Sequence, residues 1–271
     1  MYFFKSNTNE LPKYIQDNEI QSTDEQPDEN FKEGLYYALY NERYHYNEYH
    51  SKEKIEYKLN KHNFRCTQDF SSYDSSKFNI FCFGCSYTFG IGIDNDSTWS
   101  QVLHLNTKIL PQDAVIWNLG IPGASNDQIC RLLVDIYFLY KPSLVYIQWT
   151  IPSRREHVFD DGTTRKILGS HPKYWIDNTP EYKAYNTLQN DFLDLYNFQK
   201  NKLLSELLAF SNKSVFIDAD ISEFNNSLKA RDGLHPDKED HKKFAKLMYD
   251  KLVDAVCFDS DKEKRKAEFV L

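Results

Sequence analysis

From residue 78 onward, short apolar runs alternate with longer amphipathic stretches, and this alternation predicts an α/β protein built on a parallel sheet. Two further observations agree. The runs are apolar throughout rather than at every second residue, as strands covered on both faces must be. The chain has 271 residues, enough to bury one sizeable core and to carry additions around it.

Taken in order, residues 1–75 read as an accessory N-terminal arm. Residues 5–30 are polar and acidic with little periodicity. Between Phe31 and Phe70 the chain is dense in Tyr and charge and reads as a helix followed by a short extended piece, Ile55–Leu59. Ser71 to Lys77 makes a Ser-rich joint.

Residues 76–257 form the domain itself. Phe78–Phe83 is its first strand, and Asp96 or Ser97 caps a helix that runs to Leu110. Ala114–Asn118 is the second strand. Ser125-Asn126-Asp127 caps a strongly apolar helix through Ile129, Leu132, Leu133, Ile136 and Leu139, which Pro142 stops. Ser143–Trp149 is the third strand. Residues 152–180 show no clear period and are long enough to read as a lid loop. A long helix from Glu181 to Phe210, a fourth strand at Val215–Asp218 and a closing helix from His241 to Val256 complete the domain. Residues 258–271 form a charged tail.

Composition narrows the function. A net charge of -7 argues against a nucleic-acid binder, which would present a basic face. No run approaches a membrane span and the apolar start is too short for a secretory signal, so a soluble, cytoplasmic protein is expected. Cys66, Cys82, Cys85, Cys130 and Cys257 make an odd count without metal-like spacing. Cys82-x-x-Cys85 has redox spacing but no second pair, so the five read as ordinary thiols. His157, His171 and His241 show no metal-like spacing either, and no metal or cofactor is expected. The high Tyr and Phe content reads as compositional bias rather than a ligand surface.

Two segments carry chemistry. Phe83-Gly84-Cys85-Ser86-Tyr87-Thr88-Phe89-Gly90 sets a serine in a Gly-flanked turn directly after a strand. Arg231-Asp232-Gly233-Leu234-His235-Pro236 sets an acid three residues before a histidine, at the mouth of a helix. A serine hydroxyl becomes a strong nucleophile when a base takes its proton and a third group orients that base. Ser86, His235 and Asp232 supply those groups. In an open parallel sheet the active site lies beyond the carboxyl ends of the strands. Ser86, Gly123, Thr150 and the loop before His235 all follow strands, consistent with one shared site.

These segments resemble the SGNH (GDSL-like) hydrolase family over roughly residues 78–255. Gly84-Cys85-Ser86 is similar to its first block, with Cys85 where Asp is usual. Asn118-Leu119-Gly120-Ile121-Pro122-Gly123 is similar to the second, and Asp232-Gly233-Leu234-His235-Pro236 to the last. The resemblance implies a flavodoxin-like, three-layer α/β/α fold with a short central parallel sheet. It implies an acyl-enzyme on Ser86, with an oxyanion hole formed by the backbone N–H groups of Ser86 and Gly123.

The third block departs from the pattern. Where the family has Gly-x-Asn-Asp, with the Asn side chain as an oxyanion donor, this chain has Gln148-Trp149-Thr150-Ile151-Pro152-Ser153-Arg154. Thr150 or Arg154 can take the missing donor's place; equally, Thr150 can simply end a strand and Arg154 pair with Glu156 or another acid. Asn126 is a further oxyanion candidate, although helix capping is its simpler role. Arg65 can bind an acidic substrate group or tie the arm to the core, and His157 can touch substrate from the lid. The resemblance implies an ester substrate, and the polar loop leans toward a glycan O-acetyl group. The rival reading is an inactive module of this fold that binds a glycan or a protein partner, with the N-terminal arm as the docking element. The oligomeric state is not legible in the sequence.

Overall fold

The structure, a computed structural model, describes residues 35–37, 56–107, 109–158, 164–168, 191–212, 214–224 and 235–257. Two short strands, β1 (Leu35–Tyr37) and β2 (Glu56–Lys58), pair antiparallel ahead of the domain. β2 falls on the expected extended piece. β1 takes three residues of the stretch where a helix was expected, a Leu-Tyr-Tyr run that suits a strand once a partner is available, and the rest of that stretch lies outside the described residues. Residues 1–34 and 38–55 of the arm and the C-terminal tail from residue 258 lie outside the described residues.

The domain follows as β3 (Asn79–Gly84), α1 (Ser86–Phe89), α2 (Trp99–Leu105), β4 (Val115–Gly120), α3 (Asn126–Tyr140) and β5 (Leu144–Trp149). A hairpin of β6 (Arg154–Val158) and β7 (Thr164–Leu168) comes next, then α4 (Asp191–Asn212), β8 (Val215–Asp220) and α5 (Lys238–Val256). Strands β4, β3, β5 and β8 lie side by side in that order and are all parallel. Counted from β3 this is the 2-1-3-4 order of a flavodoxin-like sheet.

Alternation along each strand divides the core into two. Phe81, Phe83, Trp117, Leu119, Val145, Ile147 and Trp149 face α3 and α4. Ile80, Cys82, Ile116, Leu144, Tyr146, Ile217 and Ala219 face α2 and α5. The three-layer α/β/α fold therefore follows from strands apolar on both sides. The apolar stripe of α3 buries Ile129, Leu132, Leu133, Ile136 and Tyr137. Each such side chain contributes about 1.5–3 kcal/mol. Aromatic residues before β3 belong to the same core: Phe70 stacks on Trp117 at 4.8 Å and meets Tyr140 at 4.8 Å.

Several boundaries differ from the sequence expectations. The chain enters α2 through a 3-10 turn at Asn95–Ser97, which Asp94 caps by accepting from Ser97 N. Thr98, rather than Asp96 or Ser97, is then the N-cap of α2, which ends at Leu105. Its first amide is satisfied from elsewhere, as Trp99 N donates to His241 Nδ1 at 3.1 Å. α5 starts at Lys238, three residues ahead of the expected His241, and Asp237 caps it, accepting from Asp240 N at 3.0 Å.

The expected lid loop holds the β6–β7 hairpin. Asp160-Asp161-Gly162 between the two strands is the turn signal that the missing period concealed. Residues 159–163 and 169–190 lie outside the described residues, as do the first residues of the expected long helix. Among the described residues no helix is long and apolar enough to cross a membrane.

Candidate active site

The nucleophile turn is built by close packing at the end of β3. A Cβ on Gly84 would sit 2.0 Å from Thr88 Oγ1 and 2.9 Å from Gln148 Oε1, so only glycine lets the chain turn there. Cys85 is the N-cap of α1, and Ser86 is its first residue. Gln148 holds the turn from the neighbouring strand. Its Oε1 accepts from Cys85 N at 3.3 Å, Cys85 Sγ at 3.3 Å and Thr88 Oγ1 at 3.2 Å, while its Nε2 donates to Trp149 O at 2.6 Å. Asn118 braces the other side, donating to Thr88 O at 2.8 Å and accepting from Gly120 N at 3.1 Å.

β3 pairs with β5 from Ile80↔Leu144 to Phe83↔Ile147. Ser86 opens α1 just beyond the carboxyl end of β3, and Thr150 lies just beyond the carboxyl end of the adjacent strand β5. On the other side, β3 pairs with β4 up to Gly84↔Gly120, and Ile121 N donates to Gly84 O. Gly123 follows in a turn with φ of 71°, and a Cβ there would meet nothing within 4 Å. A side chain at Gly123 would thus be strained and would project into open space beside the nucleophile. Neither the Ser86 nor the Gly123 N–H donates to a protein acceptor among the described residues.

His235 is half-buried, and its ring packs edge-on against Tyr87, with centroids 5.6 Å apart. Tyr87 also meets Phe224, at 5.2 Å. The histidine thus lies against the residue that follows Ser86. No hydrogen bond joins the Ser86 hydroxyl to His235 among the described residues. Catalytic hydrogen bonds are often long before substrate binds and tighten in the Michaelis complex. Asp232 lies outside the described residues.

The remaining candidates divide. Thr150 is 1% exposed, and its hydroxyl accepts from Arg154 Nη1 at 3.2 Å. Arg154 does not pair with Glu156, because Arg131 does, at 2.8 and 3.3 Å. Asn126 is neither cap nor oxyanion donor. Ser125 caps α3 by accepting from Gln128 N, while the Asn126 amide donates to Thr150 O at 3.0 Å and Ile151 O at 3.3 Å and its Oδ1 accepts from Thr150 N at 2.9 Å. That side chain clamps the end of β5.

Arg65 does not reach substrate either. It is 2% exposed, and its Nη atoms donate to Phe89 O at 3.0 Å, Gly90 O at 2.6 Å and Ile93 O at 2.8 Å. Its guanidinium lies over the Tyr57 ring, and burial lowers its pKa to about 10, which leaves it charged at neutral pH. It ties the segment around β2 to the C-terminal end of α1, beneath the nucleophile. His157 lies on β6 opposite Arg165.

Sequence reasoning missed three supports. One is Gln148, whose position in an apolar strand was its only signal. Another is Asp127, which accepts from Asn197 Nδ2 at 2.8 Å, Asn201 Nδ2 at 2.9 Å and Glu156 N at 2.9 Å, and so joins α3, α4 and the hairpin. His241 is the third. It is fully buried, its pKa falls from 6.5 to about 3, first through desolvation and then through the nearby charges of Arg65 and His235, and it caps α2 as a neutral ring. The cysteines are free, and burial pushes the thiols of Cys66 and Cys82 well above their ordinary range. Among the described residues no cluster of His, Cys, Asp and Glu forms a metal-ligand set.

No family model and no curated protein matches the chain. Solved structures similar to it include a lipolytic protein of the G-D-S-L family from Desulfitobacterium hafniense, at 13% identity over 65% of this chain and 98% of that one, with a TM-score of 0.33. A psychrotrophic esterase, EstA from Pseudoalteromonas sp., is similar at 17% identity over 66% and 97%, with a TM-score of 0.35. A catalytic mutant of an acetylxylan esterase from Geobacillus stearothermophilus is similar at 15% identity over 64% and 93%, with a TM-score of 0.33. The solved structures that this chain is similar to thus include G-D-S-L lipolytic proteins and esterases, the kind of protein that its sequence blocks resemble.

Proposed function

We propose that the protein is a serine hydrolase of the SGNH type that cleaves an acyl ester through an acyl-enzyme on Ser86. The observation that carries this reading is that Ser86 opens the helix at the carboxyl end of β3 while the His235 ring packs on Tyr87, the residue next to the nucleophile. His235 takes the Ser86 proton as the hydroxyl attacks the ester carbonyl, and Asp232 holds the imidazole in the productive tautomer and stabilises the imidazolium. The backbone N–H groups of Ser86 and Gly123 bind the oxyanion.

Thr150 is the third donor. Its oxygen accepts from Arg154, so its own proton is left free to be donated to a developing oxyanion. His235 then returns its proton to the leaving alcohol and activates water for deacylation. The polar residues of the hairpin favour an O-acetylated sugar as substrate, which is also the kind of ester named for one similar structure, an acetylxylan esterase.

A fluorophosphonate probe followed by mass spectrometry tests the reading. The expected adduct is on Ser86, absent in Ser86→Ala and much reduced in His235→Ala. A folded protein that takes no label at Ser86 would overturn it in favour of a binding module.

A further inference from the structure

Three arginines surround the carboxyl end of β5, and two are neutralised within the protein. Arg131 is bound to Glu156, and Arg155 Nε lies 2.7 Å from Asp194 Oδ1, with both of those side chains largely buried. Arg154 differs. Among the described residues it makes no ion pair, and its polar contact is the single bond from Nη1 to the Thr150 hydroxyl. A hydroxyl fixes the position of a guanidinium without neutralising it. The side chain is nonetheless half-buried, at the point where the hairpin leaves the sheet.

We propose that Arg154 is the seat of a negatively charged oxygen group on the substrate, so that the ester cleaved at Ser86 is an anionic one; this rests on the hydrolase reading above. A guanidinium carries five N–H donors in a planar fork, and one is committed to Thr150. The Nε and Nη2 donors remain, in the geometry that takes a carboxylate through two parallel hydrogen bonds. Thr150 follows β5 as Ser86 follows the adjacent strand β3, and Arg154 is one hydrogen bond beyond Thr150, so the anion would be bound at the same end of the sheet as the nucleophile. A partly buried cation is costly to leave uncompensated, and a substrate carboxylate would supply the missing charge.

The carboxylate can belong to the acyl group or to the alcohol, and two matched pairs of substrates separate these sources. The first is para-nitrophenyl hydrogen succinate against its methyl ester; the second is an O-acetylated methyl glucuronoside against the O-acetylated methyl glucoside. Each is corrected for spontaneous hydrolysis. The wild-type protein is expected to favour the charged member of one pair by about 10- to 100-fold in kcat/KM, the range of a charge-assisted hydrogen bond. That ratio should collapse toward unity in Arg154→Met and survive in part in Arg154→Lys. Equal rates within both pairs, or a preference that Arg154→Met leaves intact, would overturn the proposal. Fluorophosphonate labelling of the same preparations keeps the two readings apart. A labelled Ser86 with no charge preference removes the anion seat alone, and an unlabelled Ser86 removes both.

Discussion

His241 makes the stability of this domain depend on pH in a way that can be worked out from its surroundings. The ring is fully buried against Phe224, its Nδ1 accepts from Trp99 N, and Nε2 has no hydrogen-bond partner among the described residues. An imidazole that accepts at Nδ1 is neutral with its proton on Nε2, and the nearby charges of Arg65 and His235 add to the desolvation that keeps it so. Its pKa is about 3 when folded, against an ordinary 6.5. The unfolded chain therefore binds the proton first. The stabilisation is complete above the unfolded value and is lost as pH falls from there toward the folded value. Between about pH 7 and about pH 5 the loss from this group comes to about 2 kcal/mol, at about 1.36 kcal/mol per unit of proton linkage. Urea unfolding of the wild type and of His241→Asn across that range isolates the effect, because Asn places an acceptor near the position of Nδ1 and does not titrate. The variant starts from lower stability, so the quantity read is the slope against pH. It should be shallower in the variant by the amount given, with carboxylates and the other histidines cancelling between the two proteins. Parallel slopes would refute the reasoning.

Two further substitutions probe the supports of the site. Gln148→Leu is nearly isosteric but strips an acceptor from Cys85 N and Thr88 Oγ1, and it should lower the unfolding free energy by about 2–4 kcal/mol, read by urea titration. A change within the scatter of a surface substitution would show that the nucleophile turn does not depend on this bond set. Asp127→Ala releases Asn197, Asn201 and Glu156 N together, and it should cost about 3 kcal/mol and speed proteolytic cleavage within residues 154–168. An unchanged cleavage rate would mean that the hairpin is held by other contacts.

The layers were legible because they rest on periodicity. Phe78–Phe83 and Ser143–Trp149 announce buried strands through unbroken apolar runs, and Ile129 to Ile136 announce a helix through their spacing. The order of the four strands is not encoded in that periodicity, and only the family resemblance implied a flavodoxin-like sheet. The site was legible only where it depends on local turn chemistry, at Gly84-Cys85-Ser86 and Gly123. What escaped was long-range. His241 caps a helix that begins 142 residues earlier, and Gln148 reaches across 63 residues to Cys85. No local pattern encodes such partners. The 152–180 segment escaped for a different reason, since the strand signal in Arg154–Val158 is carried by long charged side chains, which β-propensity scores poorly.

The corner after β5 then reads as one unit rather than as a defective third block. A carboxamide does reach this loop, from Asn126 at the start of α3, but it bonds the backbone of Thr150 and Ile151 and so fixes the loop instead of facing a substrate. With the backbone pinned, the Thr150 hydroxyl is, under the proposed function, the side-chain donor to the oxyanion. A hydroxyl rotates, however, and a rotating donor is a poor oxyanion ligand, because preorganisation is what such a site contributes. Arg154 removes that freedom by occupying the acceptor side of the oxygen, which leaves the proton a narrower arc. Among the described residues that cation makes no ion pair, while Glu156 pairs with Arg131 and Asp194 with Arg155. Under the proposed function, loss of the Asn donor and an arginine without an ion pair among the described residues become two sides of one arrangement, in which the group that orients the oxyanion donor also selects the charge of the substrate.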